Sequence, residues 1–370
     1  MISISHPDRR CPRLSRVCAA AWLALAIGAL ATGAPAQDTL LDTIPPGYEL
    51  AGAPVFSPDG KRVAYAAATS EGRTVVVDGE ASEATTFADS PVFSADGRHV
   101  AYRAGRSLPA GVEQWRIVKD GKKLDGYAWV GPPAITPNGD RVAHWARNGG
   151  APGPDGTGTA EGYFVVFNGK KGAVHPGGDT MSPPVLSPDG RQVGYRALVD
   201  HKWFVVAGKH TSPPYPHVGE PAFAPDGRFA YPVCEDAGWC LVREKNGRNS
   251  TFDFVGRPVF APQGKSLAHA ACSAGRWFVV LDDRRLPGEY DAVGTPVFSA
   301  SGREVAYRAN RGGSVPGAGI PGLGREAPPD ASRIQGGKWL VVVGKIESRE
   351  FEQVGEPVFS PDGEFVAHAG

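Results

Sequence analysis

The sequence predicts an all-β fold, a β-propeller of four-stranded antiparallel blades, and three observations predict it. One phrase returns eight times, from P-V-F-S-P-D-G-K-R-V-A-Y-A-A at Pro54 to P-V-F-S-P-D-G-E-F-V-A-H-A-G at Pro357. Copies begin at Pro54, Pro91, Pro133, Pro184, Pro221, Pro258, Pro296 and Pro357, a spacing of roughly 40 residues that marks stacked units of one supersecondary type. Each copy holds short β-type segments bounded by Gly, Pro or Asp, and no helical period of apolar residues survives outside residues 1–36.

Strand A is the P-V-F-S stretch, in which Val259 and Ala261 point one way and Phe260 the other, as the two-residue period of a pleated strand requires. Pro-Asp-Gly follows, intact at 58–60, 188–190, 225–227 and 361–363. Proline presets φ at the first central position of a type I turn, Asp suits the second, and Gly supplies the positive φ that lets antiparallel strands continue. Other copies read Ala95-Asp96-Gly97, Pro137-Asn138-Gly139, Pro262-Gln263-Gly264 and Ala300-Ser301-Gly302, so only the glycine is constant. That is the signature of a steric requirement, since a metal-binding or catalytic Asp would not tolerate Gln263 or Ser301.

Strand B is the V-A-Y type, seen at 63–65, 100–102 and 305–307. Strand C is the most apolar: W-F-V-V from Trp203 and Trp277, W-L-V-V-V from Trp339, W-R-I-V from Trp115, Y-F-V-V-F from Tyr163 and W-C-L-V from Trp239, with Thr74 the exception. Five of the eight tryptophans hold this place, which points to packing between neighbouring sheets; a ligand-stacking platform is the sharper alternative. Strand D leads through Val-Gly-x-Pro, as at 218–221 and 354–357, into the next strand A. Strands A and B occur eight times and strand C seven. The blade begun at Pro357 is therefore expected to be completed by N-terminal strands from 39–44 and 48–51, giving eight blades; seven blades plus a hairpin is the alternative.

Residues 1–36 read as an export signal. Arg9, Arg10, Arg13 and Arg16 precede an apolar run over 17–30, and Ala34-Pro35-Ala36 follows. Cleavage is expected after Ala36, leaving a propeller domain over 37–370 in a periplasmic or secreted location. The apolar run is short and Ala-rich against the ~20 residues of a membrane span, and no membrane span is expected after signal removal. Arg9-Arg10 is at most a weak twin-arginine hint. With 39 basic and 39 acidic side chains the formal charge is zero, which disfavours nucleic acid as a partner. The 49 glycines and 34 prolines recur at fixed places in the period, unlike those of a disordered chain. The sequence assigns no oligomeric state.

Past residue 36 the cysteines are Cys234, Cys240 and Cys272. Cys234 ends one strand and Cys240 lies in the next across a short hairpin, so export makes a disulfide between them possible, with three buried thiols as the alternative. No metal or other cofactor is expected, because no His or carboxylate cluster accompanies the thiols at ligand spacing.

The repeat, with S-P-D-G after strand A and V-A-Y on strand B, resembles the WD-like propeller repeat of the TolB type over about residues 47–370. In that family such repeats occur in periplasmic partner-binding proteins, tricorn-type protease assemblies and the propeller preceding the hydrolase domain of prolyl oligopeptidases. The resemblance implies a propeller. It does not carry the peptidase chemistry here, because no hydrolase domain and no G-x-S-x-G elbow accompany the repeats. The helical N-terminal domain of TolB itself is also absent, which weakens an expectation of a Tol-system role.

Long insertions all fall between strands B and C, at 105–113, 147–161 and 310–337. Alternating strand direction puts them on the rim that carries the Val-Gly-x-Pro corners. In those corners the residue before Pro varies, and a variable position on a fixed scaffold is free to meet a ligand. Glu220, Arg257, Thr295 and Glu356 are accordingly the candidate binding residues, in a mouth overhung by the insertions; a solvated rim is the bland alternative. Arg103, Arg196 and Arg308 of the Y-R-A copies are expected to pair locally with carboxylates, an anion-binding arc being the alternative. His144, His269 and His368 stand where other copies have tyrosine and are expected to pack in the same way. No catalytic residue is assigned. The expected function is a non-catalytic scaffold for a protein or peptide partner. A small-molecule or glycan binder is the second reading, and a propeller hydrolase or lyase, which would need converging carboxylates or a metal, the third.

Overall fold

The computed structural model describes residues 41–108, 113–149, 162–244, 247–314, 334–360 and 362–369, together with the backbone of 2–5. Among these residues every regular element is a β-strand, and the strands form eight antiparallel sheets in chain order. No helix is long and apolar enough to cross a membrane. The arrangement is that of a β-propeller.

The fifth sheet stands for the others. Strand B (Phe229–Glu235) pairs with strand C (Gly238–Arg243), and strand C with strand D (Gly247–Arg248). His217–Val218 and Ala222–Phe223 both pair with strand B, so the Val-Gly-x-Pro segment is not a corner between sheets, as the sequence suggested, but a kink inside strand A. Its cause is local. The Gly219 N–H donates to the Pro232 carbonyl at 2.8 Å, but Pro221 has no N–H with which to continue the ladder, and the strand bends until pairing resumes at Ala222. Glycine is needed because a Cβ at Gly219 would lie 2.6 Å from Pro232 Cγ.

Glu49–Leu50 holds the same place in the first sheet, pairing with Ala67 and Ala68 of its own strand B. This corrects the expectation that 48–51 completes the blade begun at Pro357. The segment Ala51-Gly52-Ala53-Pro54 is itself a copy of the kink, and a kink belongs to the strand A that follows it. The strand beside Val366–Ala369 is instead Ile2–Ser5, from Ile2 opposite Ala369 to Ser5 opposite Val366. The expected cleavage point at Ala36 lies outside the described residues.

All eight turn glycines adopt positive φ, from 66° at Gly190 to 85° at Gly227. Serine adds a function that the phrase alone did not disclose. In the first copy Ser57 Oγ donates to Asp59 Oδ1 at 2.6 Å and accepts from the Arg62 N–H at 3.0 Å, while the Gly60 N–H donates to the Ser57 carbonyl at 2.8 Å. The bonds from Ser57 and the Lys61 N–H hold the Asp59 carboxyl below its ordinary pKa. Turns of successive sheets are also joined: Arg62 Nη1 reaches the Gly97 carbonyl at 3.0 Å, Arg141 Nη1 that of Gly190 at 2.8 Å, and Gln192 Nε2 that of Gly227 at 3.0 Å. On the same side strands A of consecutive sheets lie next to one another.

The core lies between the sheets. One cluster joins Trp277 and Val279 of the sixth sheet to Tyr290, Val305, Tyr307 and Leu340 leading into and within the seventh. Trp115, Trp239, Trp277 and Trp339 are all less than a tenth exposed, which is the packing role expected of the strand C aromatics.

Candidate functional site

The four residues named from the sequence follow the glycine of the kink in four successive sheets. This half of strand A pairs with the end of strand B that runs into the insertion-bearing connection, as Ala292 does with Asn310. The two features are thus on one side, although the tips of the insertions, 109–112, 150–161 and 315–333, lie outside the described residues. Arg257, Thr295 and Glu356 are exposed and Glu220 is half-buried. Glu220 and Arg257 form an ion pair at 3.4 Å across the boundary between the fifth and sixth sheets. Glu356 turns the other way and pairs with Arg308 at 2.8 Å. Thr295 takes part in neither pair. The crevice beside Glu220, between Trp145, Arg196 and Pro221, measures about 10 Å³, room for a single water. A ligand at these residues would have to lie across the surface rather than enter it.

The three Y-R-A arginines share one geometry. Arg103 pairs with Asp89, donates to the Val130 carbonyl of the next sheet at 3.2 Å, and lies over the Trp115 ring at 5.4 Å. Arg196 pairs with Asp179, reaches the Val218 carbonyl at 3.2 Å and lies over Trp203 at 5.9 Å. Arg308 pairs with Glu356, reaches the Val354 carbonyl at 3.3 Å and lies over Trp339 at 5.1 Å. These are stitches between blades, as expected, and not an anion-binding arc. Two of their partners were visible in the sequence: in the copies with Arg103 and Arg196, an aspartate stands near the kink where others have glycine.

Cys234 and Cys240 lie on opposite faces of the fifth sheet, because Cys240 faces Val233 across the ladder while Cys234 faces Trp239. One packs with Leu241 and Val255, the other with Tyr231 and Val205. The possible disulfide is therefore not formed; Cys234, Cys240 and Cys272, the cysteines among the described residues, are buried thiols. Burial pushes the Cys272 thiol up to about 11, which keeps it protonated and unreactive.

The strand B aromatics show a pattern that the sequence did not reveal. Four of them meet a polar group just before their own sheet or on the outer strand of the sheet before it: Tyr65 donates to Asp42 at 2.9 Å, Tyr231 lies 3.0 Å from His210 Nε2, Tyr195 3.4 Å from His175 Nε2, and His269 3.3 Å from Asn249 Nδ2. The Tyr307 hydroxyl and both ring nitrogens of His368 have no such partner, and His144 departs from the pattern too. Its imidazole is 3% exposed, neither ring nitrogen has a hydrogen-bond partner, and burial pushes its pKa down to about 4. It borders a cleft of about 300 Å³ between the outer strand of the second sheet and the third sheet.

No family model matches this sequence. No curated protein matches it. Solved structures to which it is similar include TolB from Acinetobacter baumannii, at 12% identity over 82% of this chain and 78% of that one, with a TM-score of 0.33. The β-propeller domain of the Trilobed protease from Pyrococcus furiosus follows at 13% identity over 66% and 82%, with a TM-score of 0.35. A prolyl endopeptidase gives 14% identity over 97% of this chain and a TM-score of 0.44, this chain spanning 60% of that one.

Proposed function

We propose that this chain is an exported, non-catalytic propeller of eight blades, periplasmic or secreted, that holds a protein or peptide partner across its loop-bearing face. The observation that carries the reading is the convergence on one side of the three insertion-bearing connections and the kinked strands with exposed Arg257, Thr295 and Glu356. A surface of mixed charge with no deep opening at these residues suits an extended polypeptide better than a small ligand. The Glu220–Arg257 pair, half-exposed and worth little to stability, can be exchanged for charges on a partner.

Closure into eight blades is supported at the first sheet. Leu41 and Tyr48 pack on its Val63, Tyr65 and Val76, the side on which every other sheet receives a predecessor. Asp42 meets Tyr65 as His210 of the fourth sheet meets Tyr231 of the fifth. Residues 41–48 thus take the part of a preceding blade's outer strand, and in a ring of eight that blade is the one holding Val358–Phe359 and Val366–Ala369.

Affinity capture of the chain from its native envelope tests the binding reading. A specific co-purifying polypeptide should be lost when Glu220, Arg257 and Glu356 are changed together to Ala, and also when 310–337 is removed, with unfolding temperature little changed by the triple substitution. Retention of every partner by both variants would overturn it.

A further inference from the structure

In the eighth sheet the place of strand C is taken by Ile2–Ser5, antiparallel to strand B, Val366–Ala369. The register is that of a strand C: Ile4 stands opposite Ala367 as Val343 stands opposite Ala306 in the seventh sheet, and Ile2 opposite Ala369 as Val341 opposite Arg308. The Gly355 N–H donates to the Ala369 carbonyl at 2.8 Å, so that carbonyl points toward strand A. By alternation the N–H and C=O of Val366 and His368 point toward the strand C side.

The surfaces beside that place are apolar and less covered than their counterparts. Val366 and His368 are buried against the seventh sheet, where His368 meets the Phe351 ring edge-on at 4.9 Å, while Ala367 and Ala369 are exposed. Val358, opposite Ala367, is 64% exposed, whereas Val297 in the same place packs on the cluster between the seventh and eighth sheets. On the first sheet Phe56 is 57% exposed, whereas its counterpart Phe298 packs on the cluster joining the seventh sheet to the sixth. Leu50, opposite Ala67, is 48% exposed, against 5% for Val218 opposite Val233.

We propose that the strand C place of the eighth sheet is a second binding site, which takes an extended segment of a partner protein as an antiparallel strand with β-branched residues opposite Ala367 and Ala369. The inference rests on the reading that residues 1–36 are removed on export and that 41–48 stand for the eighth blade's outer strand, which leaves one strand place between 41–48 and Val366–Ala369. Main-chain groups of Val366 and His368 give affinity, and the side chains opposite Ala367 and Ala369 give selection. Cross-strand neighbours share a face, so those side chains lie on the side of Val358, where the seventh sheet carries Val341 and Val343, 1% and 7% exposed. A charge there would be desolvated between apolar surfaces, and a β-branched side chain fits the pleat. Strand B runs toward the insertion-bearing side, so the added strand begins there, next to Gly355 and Glu356, and a partner lying on that face can continue into the site.

The test uses the chain recovered after export, its N-terminus read by mass spectrometry, and the peptide of residues 1–8 as probe. At saturation the peptide should slow amide hydrogen exchange of His368 by about 10-fold or more. N-methylation of the peptide at Ser3 removes the N–H that meets the His368 carbonyl, and should weaken binding by about 10-fold or more. Val at both isoleucine positions should bind within about 3-fold of the original, and Asp at both should abolish binding. Unchanged exchange at His368 with millimolar peptide would overturn the proposal, as would equal binding of the N-methylated peptide. A His368 amide already protected before peptide is added, by a second copy or by another segment, would overturn it too. So would an exported chain that keeps residues 1–36, an outcome that also sinks the export reading, whereas the first three leave that reading and the rim site standing.

Discussion

The boundary between the sixth and seventh sheets and that between the second and third are built from the same phrase, yet one is filled and the other is open. In the first, Trp277 and Val279 press against Tyr307 and Leu340, and Tyr290 reaches across to donate to Glu347 at 2.8 Å. In the second, Trp115 and Ile117 meet Val142 and Phe164 in an equally apolar cluster, but a cleft of about 300 Å³ borders His144. The repeated phrase therefore does not by itself decide whether a boundary is sealed.

Acid should act most strongly, and on open and filled boundaries alike. His144 and His269 each have a folded pKa of about 4 against 6.5 in the unfolded chain, so the unfolded state takes up protons first. Their stabilising contribution is complete above pH 6.5 and is lost as pH falls toward 4, about 3 kcal/mol from each. Denaturant unfolding at pH 7 and pH 4.5 should show the loss, to which His175 and His368, also lowered by burial, add, and H144F should remove the share of His144. An unchanged pH dependence in that variant would mean that the cleft already lets His144 meet water, and the contrast would fail.

Next comes the filled boundary itself. Trp277→Ala should cost ~3 to 5 kcal/mol in denaturant unfolding, since the indole is 5% exposed and held between two sheets. Leu124→Ala, on the wall of the cleft, should cost less than half as much, because the removed atoms already border open space. Equal costs would show that the two boundaries pack alike.

Gly219→Ala probes what both boundaries share, the kink of strand A. The added methyl would meet the rigid Pro232 ring at 2.6 Å, so ~1 to 3 kcal/mol should be lost to strain. Gly60→Ala, where nothing lies within 4 Å, should cost about 1 kcal/mol from its φ of 67° alone. Thermal unfolding of the pair separates crowding from backbone conformation.

Much of this was legible in the chain. The turn glycines, the four strand types and the pairing of Arg103, Arg196 and Arg308 followed from residue chemistry, because each is decided within a few residues. What escaped depends on register. Val-Gly-x-Pro looked like a corner because Gly and Pro punctuate; only the hydrogen bonds to strand B show it to be a kink, and that same misreading sent 48–51 to the wrong blade. The two cysteines lie across one hairpin, yet an offset of a single residue puts them on opposite faces.

The smallest effect discriminates most sharply between a sealed boundary and an open one. Tyr231 is 1% exposed and its hydroxyl lies 3.0 Å from His210 Nε2, so Tyr231→Phe strands a polar partner and should cost about 1 kcal/mol in denaturant unfolding. His144→Phe performs the same chemical operation, a buried aromatic stripped of its polar atoms, where no hydrogen bond exists to be lost. The variant also sheds two buried unsatisfied nitrogens, so at pH 7 it should be neutral or slightly stabilising. A loss of 1 kcal/mol or more in His144→Phe would show that water or a neighbouring group already satisfies the imidazole, and the second and third sheets would then be sealed by other means.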